Sequence, residues 1–318
     1  MTGPIHRHTG SMTSPAPTWR AYGLLTLTAL IWAGNSVAGK IGAGHIDPIL
    51  LTTLRWWGAA ILIVAVSWKQ LKADWPVIKT HLPLLFAYGA SGFCLFNILL
   101  YTALTETSVI NVMIEQAGIP LAIFIGNFAL FRTRATVAQL AGFALTLIGI
   151  VITATNGHPE QLLALKLNIG DALMLLAVIV YAGYSVCLKW KPAIHWRSLL
   201  AVPCVGAAIT CVPFIIWRAL THPFGPPDAT GWGVTIYATI FVALIASATY
   251  IAGIELIGAN RAGLFVNLLP IFGVILSIVL LHEQIHGFHA AALGLVCAGI
   301  VLAEMARLRR APQASPGS

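Results

Sequence analysis

The stretch from His282 to His286 reads His-Glu-Gln-Ile-His and contains the residue types that most directly suggest chemistry. On a helix, two histidines four positions apart lie on one face and can bind zinc, and the glutamate between them can act as the general base of a peptidase. No third ligand is convincingly placed, and Gly287 follows at once. A zinc metalloprotease is therefore one hypothesis, and a loop or capping role for Glu283 is its alternative.

Two ionisable residues, Arg55 and Glu115, lie within long apolar runs. A charge inside a membrane-crossing helix costs about 2.5 to 3.5 kcal/mol on insertion scales, so each residue needs a partner or a function. The two residues have similar positions in their runs, and a structural charge pair between them is one interpretation. The other is that a buried Glu115 carries a coupling proton.

Polar and aromatic side chains also share two matching stretches of the sequence. Trp32 and Asn35 lie in the first stretch, and Tyr181 and Tyr184 lie in the second. Such a mixture suits an amphiphilic ligand, and helix packing is the alternative. Two further candidate sets lie in later runs and combine a polar side chain with a helix-interrupting proline: Asn111 with Pro120, and Asn267 with Pro270.

The composition indicates a membrane protein. Of the 318 residues, 58% are hydrophobic and 9% are charged, whereas charged residues make up about a quarter of a soluble domain. The net charge of +8 comes from Lys and Arg in short gaps between apolar runs, which is typical of orientation signals and disfavours nucleic-acid binding. The five cysteines have no metal-ligand or disulfide spacing. No cofactor is predicted, and no ATP-binding glycine loop is recognised.

Ten windows have the length of about 20 apolar residues that a transmembrane helix requires. They are residues 22–41, 48–67, 82–101, 109–131, 137–154, 170–190, 198–217, 233–257, 262–281 and 288–305. We predict an all-α integral membrane protein with ten transmembrane helices, a disordered tail over residues 1–20 and a second tail over residues 307–318. With a cytoplasmic N-terminus, fourteen Lys and Arg residues lie inside and three lie outside, which favours cytoplasmic termini.

An internal repeat divides the chain. The segment Trp32 to Lys40 aligns with Tyr181 to Lys189, and Pro120 aligns with Pro270 at an offset of 150 residues. Five helices in each half is an odd number, so the halves, residues 21–155 and 168–306, must have opposite orientations in the membrane. Inverted repeats are typical of secondary transporters, which bind substrate near the midplane between the repeats.

These residues carry a resemblance to a known family. The chain resembles the EamA-type permeases of the drug/metabolite transporter superfamily through Trp32-Ala33-Gly34-Asn35, Thr53-Leu54-Arg55-Trp56, the two prolines and Leu281-His282-Glu283-Gln284. The resemblance implies transport of small metabolites, such as amino acids, without ATP hydrolysis. It also implies a glutamate after the fourth helix of each half. Glu283 matches this pattern, but Thr133 stands at the corresponding position of the first half.

We therefore predict a secondary transporter of the inner membrane, not an enzyme, that exports a small amphiphilic metabolite with possible proton coupling. Its expected partners are a small-molecule solute and the lipid bilayer. The sequence does not decide whether the protein forms a homodimer. The alternative is an intramembrane zinc metalloprotease. The predicted substrate-binding residues are Trp32, Asn35, Asn111, Glu115, Pro120, Tyr181, Tyr184, Asn267 and Pro270, and the predicted charge pair or coupling residues are Arg55 and Glu115.

Overall fold

The computed structural model describes residues 18–132, 136–158 and 168–310, which form an all-helical bundle without strands. The predicted site residues all lie within these ranges, whereas Thr133 and most of the two predicted tails lie outside them. The helices are α1 (Thr18–Gly42), α2 (Pro48–Ile78), α3 (Leu82–Glu106), α4 (Val109–Gln116 with Ile119–Phe131), α5 (Val137–Ala154), α6 (Ile169–Trp190), α7 (Trp196–Thr221), α8 (Ala229–Ile257), α9 (Ala259–Val266 with Leu269–Leu281) and α10 (Gly287–Arg310).

Nine of these described helices, α1 to α9, are long and apolar enough to cross a membrane. The tenth differs from the prediction, because its apolar part, Gly287–Ala303, is shorter than the other nine. The helix continues to Arg310. Helix α2 is also longer than predicted and extends to Ile78.

The outer surface of the bundle is apolar. Ile61, Val66, Ile179 and Leu220 are each more than 60% exposed. Side chains of this size on so many helices would be unfavourable in water but are solvated by lipid. The exposure pattern therefore agrees with a multi-pass membrane protein.

The prolines interrupt α4 and α9 at corresponding points. Pro120 is at the start of the second segment of α4, and Pro270 has the same place in α9. Proline has no amide hydrogen to donate and clashes with the preceding turn, so a continuous helix is broken there. Both helices also end on a left-handed residue, Arg132 with φ 52° and His282 with φ 55°. These two caps are again 150 positions apart.

Helices α3 and α8 share a different irregularity. Each contains a π-helical segment, Gly89–Leu95 in α3 and Tyr237–Ile245 in α8. In such segments the backbone carbonyls depart from the regular hydrogen-bond pattern of the α-helix, and π-helical turns are frequent at functional sites. Glycine at position 89 lets α3 approach α7 closely, because a Cβ atom there would lie 2.1 Å from the carbonyl oxygen of Pro203.

Helices from the two parts of the chain pack against each other in matching pairs. Helix α1 contacts α8 and α9, and α6 contacts α3 and α4 in the same way. Helix α2 packs on α7, and α5 packs on α10. The largest core cluster lies among α3, α4 and α6, where Tyr101, Met113 and Met174 are buried. The connections α1–α2, α3–α4, α5–α6 and α9–α10 share one end of the bundle, which we call the cavity end.

Candidate functional site

A cavity of about 600 Å³ opens at the cavity end. Lys40 stabilises its wall by donating from Nζ to the carbonyl oxygens of Leu104 (2.9 Å) and Thr107 (2.7 Å), which join α1 to the end of α3. All of its twelve lining residues except Phe288 have polar or charged side chains: Lys40, Glu106, Thr107, Ser108, Asn111, Asn156, Asn168, Glu283, Gln284, His286, Phe288 and His289.

Glu283 connects the α9–α10 loop to the first turn of α4. Its carboxylate accepts hydrogen bonds from the backbone amides of Val109 (2.9 Å) and Ile110 (3.1 Å). These amides have no partner within the helix, and a carboxylate also interacts favourably with the positive end of the helix dipole. The capping interpretation of Glu283 is therefore the one that the structure supports.

The geometry does not support the metalloprotease hypothesis. His282 ends α9 in a left-handed conformation, and residues 282–286 are not helical, so His282 and His286 do not share a helix face. Over the described residues, no group of three or more His, Cys, Asp or Glu side chains could hold a metal ion. The Glu283 carboxylate is already bound to two amides and is not positioned as a general base.

Asp171 is the centre of a buried network beneath the cavity. It lies in the first turn of α6, is completely buried, and accepts hydrogen bonds from the hydroxyl of Thr107 and from Nδ2 of Asn111 (3.2 Å). Because Asn111 donates through its nitrogen to Asp171, its oxygen is left to accept from Nε2 of His289 (3.1 Å). The network therefore joins α3, α4, α6 and α10.

The hydrogen bonds of His289 define its protonation state. Nε2 donates to Asn111, and Nδ1 accepts from the backbone amide of His286 at 3.1 Å. One donating and one accepting nitrogen correspond to the neutral imidazole. His289 therefore contributes no positive charge to neutralise Asp171.

Glu115 lies one helical turn deeper than Asn111. The two residues are four positions apart on α4 and so share a face, and this segment of α4 packs against α6, the helix that carries Asp171. Glu115 is completely buried, and neither of its carboxylate oxygens has a hydrogen-bond partner among the described residues. The predicted charge pair with Arg55 is therefore wrong.

Arg55 is held instead by three neutral groups. Its Nη1 donates to Oδ1 of Asn35 (3.2 Å), to Oδ1 of Asn97 (2.9 Å) and to the hydroxyl oxygen of Tyr101. The Tyr101 hydroxyl donates in turn to Asn35 at 2.7 Å. No carboxylate of the described residues lies within 4.0 Å of the guanidinium, although Arg55 is only 5% exposed.

The π-helical segment of α3 orients this cluster. The carbonyl oxygen of Phe93 accepts from Nδ2 of Asn97 (2.7 Å) and from Nε1 of Trp56 (3.0 Å). Asn97 therefore presents its oxygen to Arg55, and the indole of Trp56 lies 4.8 Å from the guanidinium carbon. The irregular backbone thus places a polar acceptor and an aromatic face against one cation.

Aromatic rings continue from Arg55 towards α6. Trp56 stacks on Phe93 with centroids 4.7 Å apart, and Phe93 meets Tyr184 at 5.9 Å. Tyr184 contacts Tyr181, which contacts Phe96 at 4.9 Å. Tyr181 and Tyr184 are only half-buried. This row of rings could accommodate an apolar body beside the guanidinium.

The structure distributes the remaining predicted site residues over separate places. Trp32 contacts the ring of Tyr250 at 5.1 Å. Asn267 lies at the break of α9, where Pro270 is buried, whereas Pro120 is exposed. Only Asn35 shares the Arg55 cluster, and Asn111 shares the Asp171 network with Glu115 nearby. The predicted residues therefore divide between these two centres and further places, such as the Trp32–Tyr250 contact and the break of α9.

Sequence reasoning missed Asp171 and His289. Asp171 is a charged residue within the predicted span 170–190, so the criterion that selected Arg55 and Glu115 could have found it. His289 lies within the predicted span 288–305 and offered a weaker signal. From the sequence, Asn97 and Tyr101 are only weaker candidates for ligand binding, because their importance depends on how α3 is rotated.

The model of the EamA-like transporter family matches residues 19–155 and again residues 168–305. Among curated proteins, the chain is 24% identical over 304 residues to the uncharacterized transporter YetK of Bacillus subtilis (strain 168), covering 94% of this chain and 90% of that one. It is 27% identical over 297 residues to a "Probable amino-acid metabolite efflux pump" of Salmonella typhimurium (strain LT2), covering 88% and 93%.

A solved crystal structure shows the same fold. It has a TM-score of 0.62 at 20% sequence identity and covers 92% of this chain and 99% of its own. At that identity the likeness concerns the arrangement of the helices alone.

Proposed function

Because the chain belongs to the EamA-like transporter family, we propose that it is a secondary exporter of a small amphiphilic metabolite, with export coupled to protons through Glu115. The name of the Salmonella relative supports amino-acid metabolites as the substrate class. The observation that carries the coupling is the complete burial of a carboxyl group with two unpartnered oxygens. A carboxyl in that environment is a group whose charge can be removed by a proton.

The proposed architecture is ten transmembrane helices in two inverted repeats, residues 21–155 and 168–306. Two separate matches to one family model support it, as do the paired helix breaks and the paired contacts between the halves. In the proposed orientation both termini are cytoplasmic and the cavity end faces outwards from the inner membrane, in line with the positive-inside distribution.

Cysteine labelling tests the orientation. Asn156 lines the cavity, whereas Asp74 lies at the other end of α2 and accepts from the amide of His195. In a cysteine-free background, a membrane-impermeant reagent should label a cysteine at 156 and not one at 74 in intact cells. The reverse pattern would overturn the orientation.

Substrate is proposed to bind between α4 and α9 near the pseudo-twofold axis, where inverted-repeat carriers keep their site. The two helices approach closely at Met113, whose sulfur would lie 2.1 Å from a Cβ atom at Gly273. Trp32, Asn35, Tyr181 and Tyr184 are the proposed walls. Movement of one half against the other would expose the site to each side in turn.

Proteoliposomes loaded with radiolabelled amino acids test the function. The wild type should exchange substrate without a gradient and move it against its gradient when a pH difference is imposed. Glu115→Gln should keep exchange and lose the response to the pH difference, because an amide cannot take up and release the proton. Glu106→Gln is the matched control, since Glu106 is an exposed carboxylate of the cavity, and it should behave like the wild type. Unchanged pH-driven transport by Glu115→Gln would exclude the coupling role.

A further inference from the structure

The hydrogen bonds of Arg55 leave one edge of its guanidinium without protein acceptors. All three bonds are made by Nη1. Nε is buried and has no partner, and no hydrogen bond joins Nη2 to a described residue. Nε and Nη2 are two parallel donors on one edge of a planar fork, which is the geometry that binds both oxygens of a carboxylate.

The charge of Arg55 is also uncompensated. Arginine stays protonated in proteins, and a charge at this depth is stabilised by an opposite charge or by a full set of acceptors. Asn35, Asn97 and Tyr101 supply neutral acceptors only. Arg218, by contrast, pairs with the carboxylate of Asp47 at 2.7 Å, at the cavity end. An anionic ligand would neutralise the charge of Arg55 and accept its hydrogen bonds, as the carboxylate of Asp47 does for Arg218.

The surroundings of the open edge indicate what else the ligand carries. Trp56, Phe93 and Tyr184 form a continuous row of rings beginning 4.8 Å from the guanidinium carbon. Gly92 allows this row to form, since a Cβ atom there would lie 2.4 Å from the ring of Tyr184. Rings of this kind bind apolar and aromatic groups and offer no charged partner.

We infer that Arg55 is the carboxylate-binding residue of the substrate site, and that the substrate class is an organic carboxylate with an apolar or aromatic body. The carboxylate accepts from Nε and Nη2, and the body lies along Trp56, Phe93 and Tyr184. This inference rests on the proposed transport function but concerns a different residue from the proton-coupling step. It therefore has a test that does not depend on a gradient.

Equilibrium binding to the purified wild-type protein provides the test. The probes are 3-phenylpropionate, which is ionised at pH 7, and 3-phenylpropionamide, which has the same ring and no charge. Binding is followed by tryptophan fluorescence, to which Trp56 contributes directly. A charge-assisted bidentate contact predicts that the acid binds about tenfold more tightly than the amide. Equal affinities, or no binding of either probe in the millimolar range, would overturn the inference.

Variants assign the preference to one side chain. Arg55→Gln should bind the two probes equally, and Arg55→Lys should retain part of the preference because it keeps the charge and loses the fork. Arg218→Gln is the matched control and should retain the full preference. If the preference persists in Arg55→Gln, the carboxylate binds elsewhere and the inference is wrong. If Arg55→Gln does not fold, the wild-type comparison and Arg55→Lys still decide the question.

The proposed function and this inference can fail separately. Loss of pH-driven transport with an intact acid preference in Glu115→Gln is expected if both are right. An intact acid preference in a protein that shows no pH-driven transport would remove the coupling proposal and leave the carboxylate site standing.

Discussion

Arg55 in α2 and Glu115 in α4 are both buried ionisable residues, but their surroundings in the fold are opposite in kind. Arg55 has three acceptors from α1 and α3 and an aromatic face beside it. Glu115 is more deeply buried, and neither of its oxygens has a partner in the described part of the chain. Arginine cannot lose its charge, so the protein must solvate it. A carboxyl group can become neutral by taking up a proton, so it can be buried without partners.

These different environments suit Arg55 and Glu115 to different functions. A permanent cation with an open edge is suited to holding an anion of fixed charge, whereas a carboxyl without fixed partners is suited to binding and releasing a proton. The predictions below separate these environments, beginning with the largest expected effect.

Gly89→Ala should be the most destabilising of the small changes, at about 3 kcal/mol. The new Cβ atom would meet the carbonyl oxygen of Pro203 at 2.1 Å, so α3 and α7 must separate and the π-helical segment that orients Asn97 must shift. Thermal unfolding in detergent measures the effect. Gly183→Ala is the control, because nothing lies within 4 Å of its Cβ position; equal loss in both variants would contradict the account.

Tyr101→Phe should cost about 2 kcal/mol, because a hydroxyl bound to a charged group is removed and Arg55 is left with two acceptors. Tyr22→Phe provides the comparison, since Tyr22 is 46% exposed, and its stability should be unchanged. Chemical denaturation of both variants checks this. A neutral result for Tyr101→Phe would mean that Arg55 obtains its solvation from another source.

Glu283→Gln should cost about 1 kcal/mol by weakening the cap on α4. Glu283 accepts hydrogen bonds from two backbone amides and therefore contrasts with Glu115, whose oxygens have no partner among the described residues. Gln284→Ala changes an exposed neighbour and should have no measurable effect. The unfolding temperature should fall in Glu283→Gln and not in Gln284→Ala. Equal unfolding temperatures would mean that the cap does not stabilise the protein.

Asp228→Asn should have the smallest effect, and the effect should depend on pH. Hydrogen bonds from the amide of Gly231 and from His45 lower the pKa of the exposed Asp228 below its usual value of 3.8. The resulting stabilisation is present above pH 3.8 and is lost as the pH falls through the lowered pKa. The difference in unfolding temperature between wild type and variant should therefore disappear in acid; a constant difference would contradict the assignment.

Apolar run lengths and prolines were sufficient to predict most of the helices and the breaks in α4 and α9. They could not predict the partners of Arg55, because counting residues along a helix gives depth but not the direction of a side chain around the helix axis. Arg55 points towards α1 and α3, whereas neither carboxyl oxygen of Glu115 has a hydrogen-bond partner among the described residues. The sequence also could not predict that Asn97 accepts a hydrogen bond from Arg55, because this contact depends on a π-helical segment that no local pattern indicated.

The protonation state of Glu115 tests the central comparison most directly. Infrared spectroscopy of the purified wild-type protein at pH 7 should show the carbonyl band of a neutral carboxylic acid. This band should be absent in Glu115→Gln and retained in Glu106→Gln, because Glu106 is exposed at the cavity. Absence of this band from the wild type, or its full retention in Glu115→Gln, would mean that Glu115 is not a neutral acid in the protein, and the distinction drawn between it and Arg55 would be wrong.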